Sequence, residues 1–475
     1  MGKKIIIEPI TRIEGHAKVT IHLDDEGNVE KSYFHVNQFR GFEKFCEGRL
    51  YFEMPQITQR ICGICPVSHH LASAKACDEI IGVEIPKTAK MLRELMHMGQ
   101  FIQSHSLHFF HLASPDLLLG FDADPAIRNV FGIIDKKPEL ALMAVKLRKF
   151  GQEIIEILGR KKIHPIFAVP GGVNGALSIK GRDKILGEVD YIIKSIKKAI
   201  EIIKDWIGSN KELVENFASF KSGYMGLVKD EALEIYDGDV RLVDKEGNIL
   251  EEFNGSDYLN YVAEHVEDWT YLKFPYYKKM GYPEGCYRVG PLGRMNVCEK
   301  ISTPLANEEL KKFKVINNGK PVEASIYYHY TRLIEDLYAA EKTKELLEDP
   351  DILSKDIRAE SDKITGEGVG VIEAPRGTLF HHYKTDENGV ITRVNLIVAT
   401  GHNNWAMSKS VDMVAKQFIS GKEIREGLLN RVEAAIRCYD PCLSCSTHAL
   451  GQMPLYIEIH SSNGEIVDVI KRDLK

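Results

Sequence analysis

Two short cysteine motifs are the part of this sequence whose spacing most directly implies chemistry: Arg60-Ile61-Cys62-Gly63-Ile64-Cys65-Pro66-Val67-Ser68-His69 and Asp440-Pro441-Cys442-Leu443-Ser444-Cys445-Ser446-Thr447-His448. A Cys-x-x-Cys turn lets both sulfurs face one ion, and soft thiolates suit zinc, nickel, iron and cluster chemistry. Structural zinc is the simplest occupant of isolated pairs of this kind. Zinc ribbons, however, usually stabilise something local, and these two hooks lie 380 positions apart. Closing a loop of that length costs about 5 kcal/mol on the logarithmic estimate. One four-thiolate site would therefore have to be assembled by the folded body, and not the reverse.

The elements that could do so are readable from periodicity. Lys4 to Ile10, Ala17 to Leu23 and Val29 to Phe39 alternate in the strand period around a turn at Asp24-Asp25-Glu26-Gly27-Asn28, which predicts a small N-terminal sheet. From about Thr88 the period becomes helical (Met91, Leu95, Met98, Ile102) and apolar nearly all round, as in a buried bundle. Ile185, Val189, Ile192, Ile196, Ile200 and Ile203 form a second helical stripe, with Lys194, Lys197, Lys198 and Lys204 on its solvated face. Further helices are expected at 322–347, 405–418 and 422–438, and hairpins around Lys245-Glu246-Gly247-Asn248, around Asp386-Glu387-Asn388-Gly389 and at 455–470, turning at Ser462-Asn463-Gly464. The fold class is α+β, mainly helical: a buried bundle of long helices with small peripheral β-sheets and hairpins. One large fold is divided softly into a β region (1–40), a helical core with the first hook (41–230), a polar β-rich insertion (231–300), a helical and β region with the second hook (301–448) and a C-terminal tail (449–475).

Of 475 residues, 44% are hydrophobic and 27% charged, the balance of a soluble globular chain, and a net charge of −6 gives no reason to expect nucleic acid. No apolar run approaches the roughly 18 residues needed to cross a bilayer, so neither membrane insertion nor export is expected, and the location is read as cytoplasmic. Nine cysteines without a secretory signal argue for reduced thiols. Cys46, Cys77, Cys286, Cys298 and Cys438 have no ligand spacing and read as buried thiols. Pro170-Gly171-Gly172-Val173-Asn174-Gly175 and Gly366-Glu367-Gly368-Val369-Gly370 lack the context of a nucleotide-binding turn, so no flavin or nucleotide is expected in this chain.

The two hooks, in this order and near the two ends, resemble those of nickel-iron hydrogenase large subunits. The likeness includes Thr11-Arg12-Ile13-Glu14-Gly15-His16, Arg40-Gly41-Phe42-Glu43, Gly290-Pro291-Leu292-Gly293-Arg294 and Glu373-Ala374-Pro375-Arg376-Gly377, and runs from Glu8 to Gln452. The resemblance implies a catalytic subunit for the reversible heterolytic oxidation of dihydrogen. Cys62 and Cys442 would bind nickel terminally, and Cys65 and Cys445 would bridge it to an iron carrying one carbon monoxide and two cyanides. Arg376 would lie over the open coordination site and polarise dihydrogen. Pro375 and Thr400 would line the cyanide and carbonyl pocket, Asp440 would pair with Arg376, and His69 would donate towards a bridging sulfur. Glu14, a buried carboxyl, would take the first proton of the exit path. Glu43, the main-chain carbonyl of Leu396 and the His448 ring would hold a magnesium or iron ion near the C-terminus. Where many relatives carry a His-Asp-His run, this chain has Gln103-Ser104-His105. The aspartate contact is thus missing or replaced by the Ser104 hydroxyl.

Implied partners are a small subunit carrying iron-sulfur clusters, a maturation endopeptidase cutting between His448 and Ala449, and a further electron-transfer subunit. Arg40-Gly41-Phe42-Glu43-Lys44-Phe45-Cys46-Glu47-Gly48-Arg49 and the Pro66-Val67-Ser68-His69-His70 ending point to the cytoplasmic archaeal type, whose electrons go to a flavin and heterodisulfide reductase complex in methanogens. A deazaflavin- or NAD(P)-reducing hydrogenase, or a hydrogen sensor, is the alternative. The quinone-module subunit of respiratory complex I shares the fold but lacks the cysteines, and the four thiols exclude it.

Overall fold

The computed structural model describes residues 4–38, 40–420, 424–447, 455–460 and 465–472, the last two stretches mainly by their backbone. At the N-terminus Lys4–Ile7, Lys18–Leu23 and Val29–His35 pair as one antiparallel sheet. Val19, Ile21 and Leu23 face the core, as alternation requires. The first strand ends before Pro9, three residues short of the expected Ile10, because proline has no N–H for the ladder. Asp412 accepts from Ser32 N at 2.9 Å and ties this sheet to the helix Asn404–Phe418.

The helical body is built from Lys87–Leu107, Pro138–Gly159, Ile179–Ser209 and Tyr327–Glu348, which pack on one another in the centre of the chain. Gly99 and Gly151 let the first two approach to backbone contact: a Cβ on Gly151 would stand 2.4 Å from the Gly99 carbonyl oxygen. Along Ile179–Ser209 the isoleucine stripe is buried and Lys194, Lys197 and Lys198 are exposed. Lys204 departs from that face and pairs with Glu309 at 3.2 Å. The helix expected from 322 begins only at Tyr327, since Val322 exchanges hydrogen bonds with the Asn296 side chain. The helix expected at 422–438 spans Glu426–Cys438.

A five-stranded sheet (Gly223–Lys229, Ala232–Leu233, Asp239–Val243, Ile249–Phe253, Tyr287–Arg288) opens eight residues before the expected border at 231. Its first strand is buried on both faces from Tyr224 to Val228 and so shows no alternation by which to recognise it. The expected hairpin turn at Lys245-Glu246-Gly247-Asn248 connects two of its strands. Glu367–Ala374, Gly377–Thr385 and Ile391–Ile397 form a three-stranded antiparallel sheet, one strand more than the predicted hairpin. Leu455–His460 and Ile466–Arg472 pair antiparallel as expected, while the turn at Ser462-Asn463-Gly464 lies outside the described residues.

The glycines of 366–370 have a packing purpose. The helix Pro66–Ile80 lies directly on strand Glu367–Ala374, and a Cβ on Gly370 would fall 1.8 Å from the Ala72 carbonyl oxygen. That contact sets the helix that follows the first hook firmly against the strand that leads to Arg376.

Candidate metal centre

The first hook leaves the short 3-10 turn Gln59–Ile61 in extended conformation at Cys62 and enters the helix at Pro66. Proline at the first helical position costs no hydrogen bond. The N–H groups of Ile64 and Cys65 both point at the Cys62 sulfur, at 3.2 and 3.5 Å. The second hook follows Asp440, a non-glycine residue at φ +51°, and ends in a single turn, Leu443–Ser446.

That turn is laid along the N-terminal segment. Leu443 N donates to the Glu14 carbonyl at 3.1 Å, and Ser444 N and the Cys442 thiol donate to Glu14 Oε2 at 3.0 and 3.1 Å. The segment is itself anchored. Arg12 and Arg437 share the buried Asp116, and Arg437 also binds the Thr11 carbonyl and Glu433, whose carboxylate receives Thr11 N. The Thr-Arg-Ile-Glu-Gly-His motif therefore clamps both ends of the chain together.

The result is four sulfurs within 4.8 Å of one another, all buried. First cysteine faces first (Cys62 to Cys442, 3.1 Å), second faces second (Cys65 to Cys445, 3.4 Å), and Cys442 and Cys445 lie 2.9 Å apart. Hydrogen bonds from Cys442, Cys445 and Cys65 hold the Cys62 thiol well below its usual range, whereas burial pushes Cys442 and Cys445 well above theirs. Four like charges cannot share this space without a cation, and a divalent metal would displace the retained protons. The donor set therefore fits a thiophilic metal centre.

Arg376 occupies the turn between Glu367–Ala374 and Gly377–Thr385, 3% exposed. Its Nε donates to the Asp440 carbonyl at 2.5 Å and its Nη2 lies 3.0 Å from Asp440 Oδ2. Burial opposes its charge, but Asp440 and the thiols more than offset this and hold its pKa above the ordinary value. Nη1 is buried with no hydrogen-bond partner among the described residues, so the guanidinium keeps a donor in reserve beside the sulfurs. The turn is pinned by Arg294, which donates to the carbonyls of Ala374 and Pro375 and pairs with the buried Glu335 and Glu373. Gly290 completes the fit, since a Cβ there would stand 2.8 Å from the Arg376 carbonyl oxygen.

His69 Nε2 lies 3.4 Å from the Cys445 sulfur, and its Nδ1 lies 3.0 Å from His381 Nε2. The Thr400 hydroxyl accepts from Cys442 N at 3.0 Å, and Pro375 is buried at the Arg376 turn. Glu14, expected to be buried, is half-buried because its segment forms the surface over the second hook. Leu396 N donates to Glu43 Oε1 at 2.8 Å, which brings two of the three residues assigned to the C-terminal ion together. His448 and Ala449 lie outside the described residues. Ser104 does not replace an acidic contact: its buried hydroxyl has no hydrogen-bond partner among the described residues. The sequence reading also missed Gln100 and His381 behind His69, and gave no contact to Gln103; the amides of Gln100 and Gln103 both reach the Ile64 carbonyl. Only helical spacing, placing 100 and 103 on one face, hinted at the pair.

A buried four-thiolate centre closed by both ends of the chain, with a guanidinium against it, defines a metalloenzyme core. The family described as nickel-dependent hydrogenase matches residues 40–125 and 221–448, and a family described as HoxL-like matches residues 4–39. The NAD-reducing hydrogenase HoxS subunit beta of Cupriavidus necator is 47% identical over 98% of this chain and 99% of that protein. A chain of the vhu F420-non-reducing hydrogenase of Methanocaldococcus jannaschii is 50% identical over 88% of this chain and 99% of its own length. Among solved structures, an NAD+-reducing [NiFe]-hydrogenase in the H2-reduced state superposes with a TM-score of 0.92 at 46% identity, covering 94% of this chain and 99% of that one. The chain belongs to the nickel-dependent hydrogenase family and is an oxidoreductase acting on hydrogen, with the mainly helical α+β large-subunit fold.

Proposed function

We propose that this chain is the dihydrogen-splitting subunit of a cytoplasmic complex whose electrons leave through the iron-sulfur clusters of a small partner subunit to reduce a nicotinamide cofactor bound elsewhere in the complex. The observation that carries this reading is the 47% identity to an NAD-reducing hydrogenase chain over 98% of this one, supported by the likeness to the NAD+-reducing structure. It replaces delivery to heterodisulfide reductase as the preferred reading. That second reading keeps the support of methanogen F420-non-reducing hydrogenase chains at 44–50% identity.

When bound, a nickel-iron centre with one carbon monoxide and two cyanides on iron would supply the heterolytic activation of dihydrogen and its net oxidation to two protons and two electrons. This chain's own residues do the rest. Cys62, Cys65, Cys442 and Cys445 would together hold nickel, with Cys65 and Cys445 also serving iron; the spare Arg376 donor would face the substrate, Pro375 and Thr400 would close the pocket, and His69 would donate to Cys445. Glu14, in hydrogen-bond contact with the Cys442 sulfur, takes the proton outward. Glu43, the main-chain carbonyl of Leu396 and His448 would hold a magnesium or iron ion, and an endopeptidase would remove the tail after His448 so that the second hook can close. Gly63 is exposed between the buried Cys62 and Cys65, and exposed Ile163 and Ile166 flank His164, whose Nε2 lies 3.3 Å from the Cys62 carbonyl oxygen. This face seats the partner.

The test is the purified complex under hydrogen. Nickel, infrared bands of iron-bound carbonyl and cyanide, and NAD(P)+ reduction are expected, with a mass for this subunit ending at His448. Zinc without those bands overturns the metal assignment. Reduction of heterodisulfide but not NAD(P)+ restores the second reading, and a nickel-loaded, active, full-length chain removes the cleavage.

A further inference from the structure

Two buried glutamines do work that neither the sequence motifs nor the family assignment accounts for. Gln100 and Gln103, 0% and 4% exposed, stand three residues apart on one face of the helix Lys87–Leu107. Their Nε2 groups donate to a single acceptor, the Ile64 carbonyl, at 2.9 and 2.7 Å. A carbonyl oxygen has two lone pairs, so this one is saturated. Flipping either amide would place oxygen against oxygen, which fixes both as donors. The helix is held in place by its close contact with Pro138–Gly159, where Gly99 and Gly151 meet, and a Cβ on Gly151 would stand 2.7 Å from Gln103 N.

Ile64 lies between the two cysteines of the first hook, and its carbonyl belongs to the same peptide group as Cys65 N. That N–H donates to the Cys62 sulfur at 3.5 Å, beside Ile64 N at 3.2 Å. Hydrogen bonds in series polarise one another: donation to the carbonyl end of a peptide makes its N–H a stronger donor, by about 10–30% per bond in condensed-phase estimates. Stronger donation to a thiolate withdraws charge from sulfur, and hydrogen bonds to coordinating sulfur are one of the means by which proteins set metal potentials.

We infer that Gln100 and Gln103 are positioning residues that act through the Ile64–Cys65 peptide to hold the first hook and to draw charge from the Cys62 sulfur, raising the reduction potential of the metal it binds. The inference rests on the reading of the four thiolates as a nickel site. Methionine matches glutamine in length and flexibility but donates nothing, so Gln100→Met, Gln103→Met and the double variant isolate the effect. In the purified complex, nickel content and the carbonyl and cyanide infrared bands are recorded first. Potentiometric titration followed by infrared and paramagnetic resonance signals then gives the nickel midpoint potential. Each single variant is expected to retain nickel and shift the midpoint to more negative potential, and the double variant to shift it further. An unchanged midpoint in the nickel-loaded double variant would show that the glutamines only fill space and would overturn the inference alone. Absence of nickel from the unsubstituted complex would overturn the metal reading and this inference with it. Should the methionine variants fail to load nickel, Gln103→Asn keeps the amide but withdraws the donor by one methylene. The same negative shift is expected there, and an unchanged potential counts against the inference equally.

Discussion

The two cysteine hooks have the same spacing but are held in opposite ways. Cys62 and Cys65 lead into the 15-residue helix Pro66–Ile80, whose backbone lies against a strand and whose preceding carbonyl is clamped by two amides from the bundle. Cys442 and Cys445 sit on a four-residue turn, and its ties run to segments near the other end of the chain: Glu14 through backbone and carboxylate, and Arg40, whose N–H donates to the Thr447 carbonyl at 2.7 Å. Arg40 also reaches back to the first hook through the Ile61 carbonyl. One hook is thus set at the start of a helix packed between the bundle and a sheet, and the other is a short turn docked onto the N-terminal segment.

The sharpest way to break this comparison is a pair of glycines. Gly15, at φ +87°, faces the second hook, and a Cβ there would stand 2.7 Å from Leu443 Cβ and 3.2 Å from Ser444 N. Gly63, inside the first hook, faces open space. Gly15→Ala combines backbone strain with a clash against the docked turn and is expected to abolish nickel retention, with activity lost to background. Gly63→Ala should keep near-full nickel. Metal stoichiometry of the two purified variants checks this, and equal occupancy would show that the second hook does not depend on the Gly15 contact.

A smaller effect is expected from Arg376→Lys, which leaves both hooks intact but changes what faces them. A lysine cannot keep the Nε bond to the Asp440 carbonyl, the ion pair with its carboxylate and a spare donor at the same time. Loss of a preorganised donor costs about 100- to 1,000-fold in turnover, with nickel retained. Hydrogen-dependent dye reduction normalised to nickel measures it, and near-normal rates would remove Arg376 from the chemistry.

The same contrast explains what was legible beforehand. The four-cysteine cluster was readable because a Cys-x-x-Cys turn lets two sulfurs face one ion, and the long helices because their apolar stripes repeat at 3.6 residues. The β-rich border at Gly223 was not, because a strand buried on both faces has no alternation. Nor were Gln100 and Gln103, since a buried amide in an apolar helix looks like an interruption until the carbonyl it serves is placed beside it. Lone cysteines were readable by the absence of spacing. Burial pushes the thiols of Cys46, Cys286, Cys298 and Cys438 up to about 12, so they remain neutral packing groups, unlike Cys62. Half-burial of Glu14 followed from docking across the whole chain, which no local window contains.

Glu14 is where docking meets the proposed proton path, so Glu14→Gln sharpens the comparison most finely. One carboxylate oxygen accepts from Ser444 N and the Cys442 thiol, and the other from the Ser444 hydroxyl at 2.5 Å. A glutamine retains one acceptor oxygen facing Ser444 N, and Leu443 N still finds the residue 14 carbonyl at 3.1 Å, because that bond belongs to the backbone. The Ser444 hydroxyl can reverse and donate elsewhere, since it both gives and receives. Docking should therefore survive, and nickel content should stay close to that of the unsubstituted protein. What the amide cannot do is accept a proton from the sulfur and release it outward, so hydrogen-deuterium exchange with solvent should fall by about 100-fold, the low end for a positioned acid-base group. The readout is mass-spectrometric exchange per nickel, compared with hydrogen binding in the same sample. Unchanged exchange with full nickel would move the relay to another group. Lost nickel would show instead that the carboxylate's charge, and not only the backbone of its segment, is needed to seat the second hook.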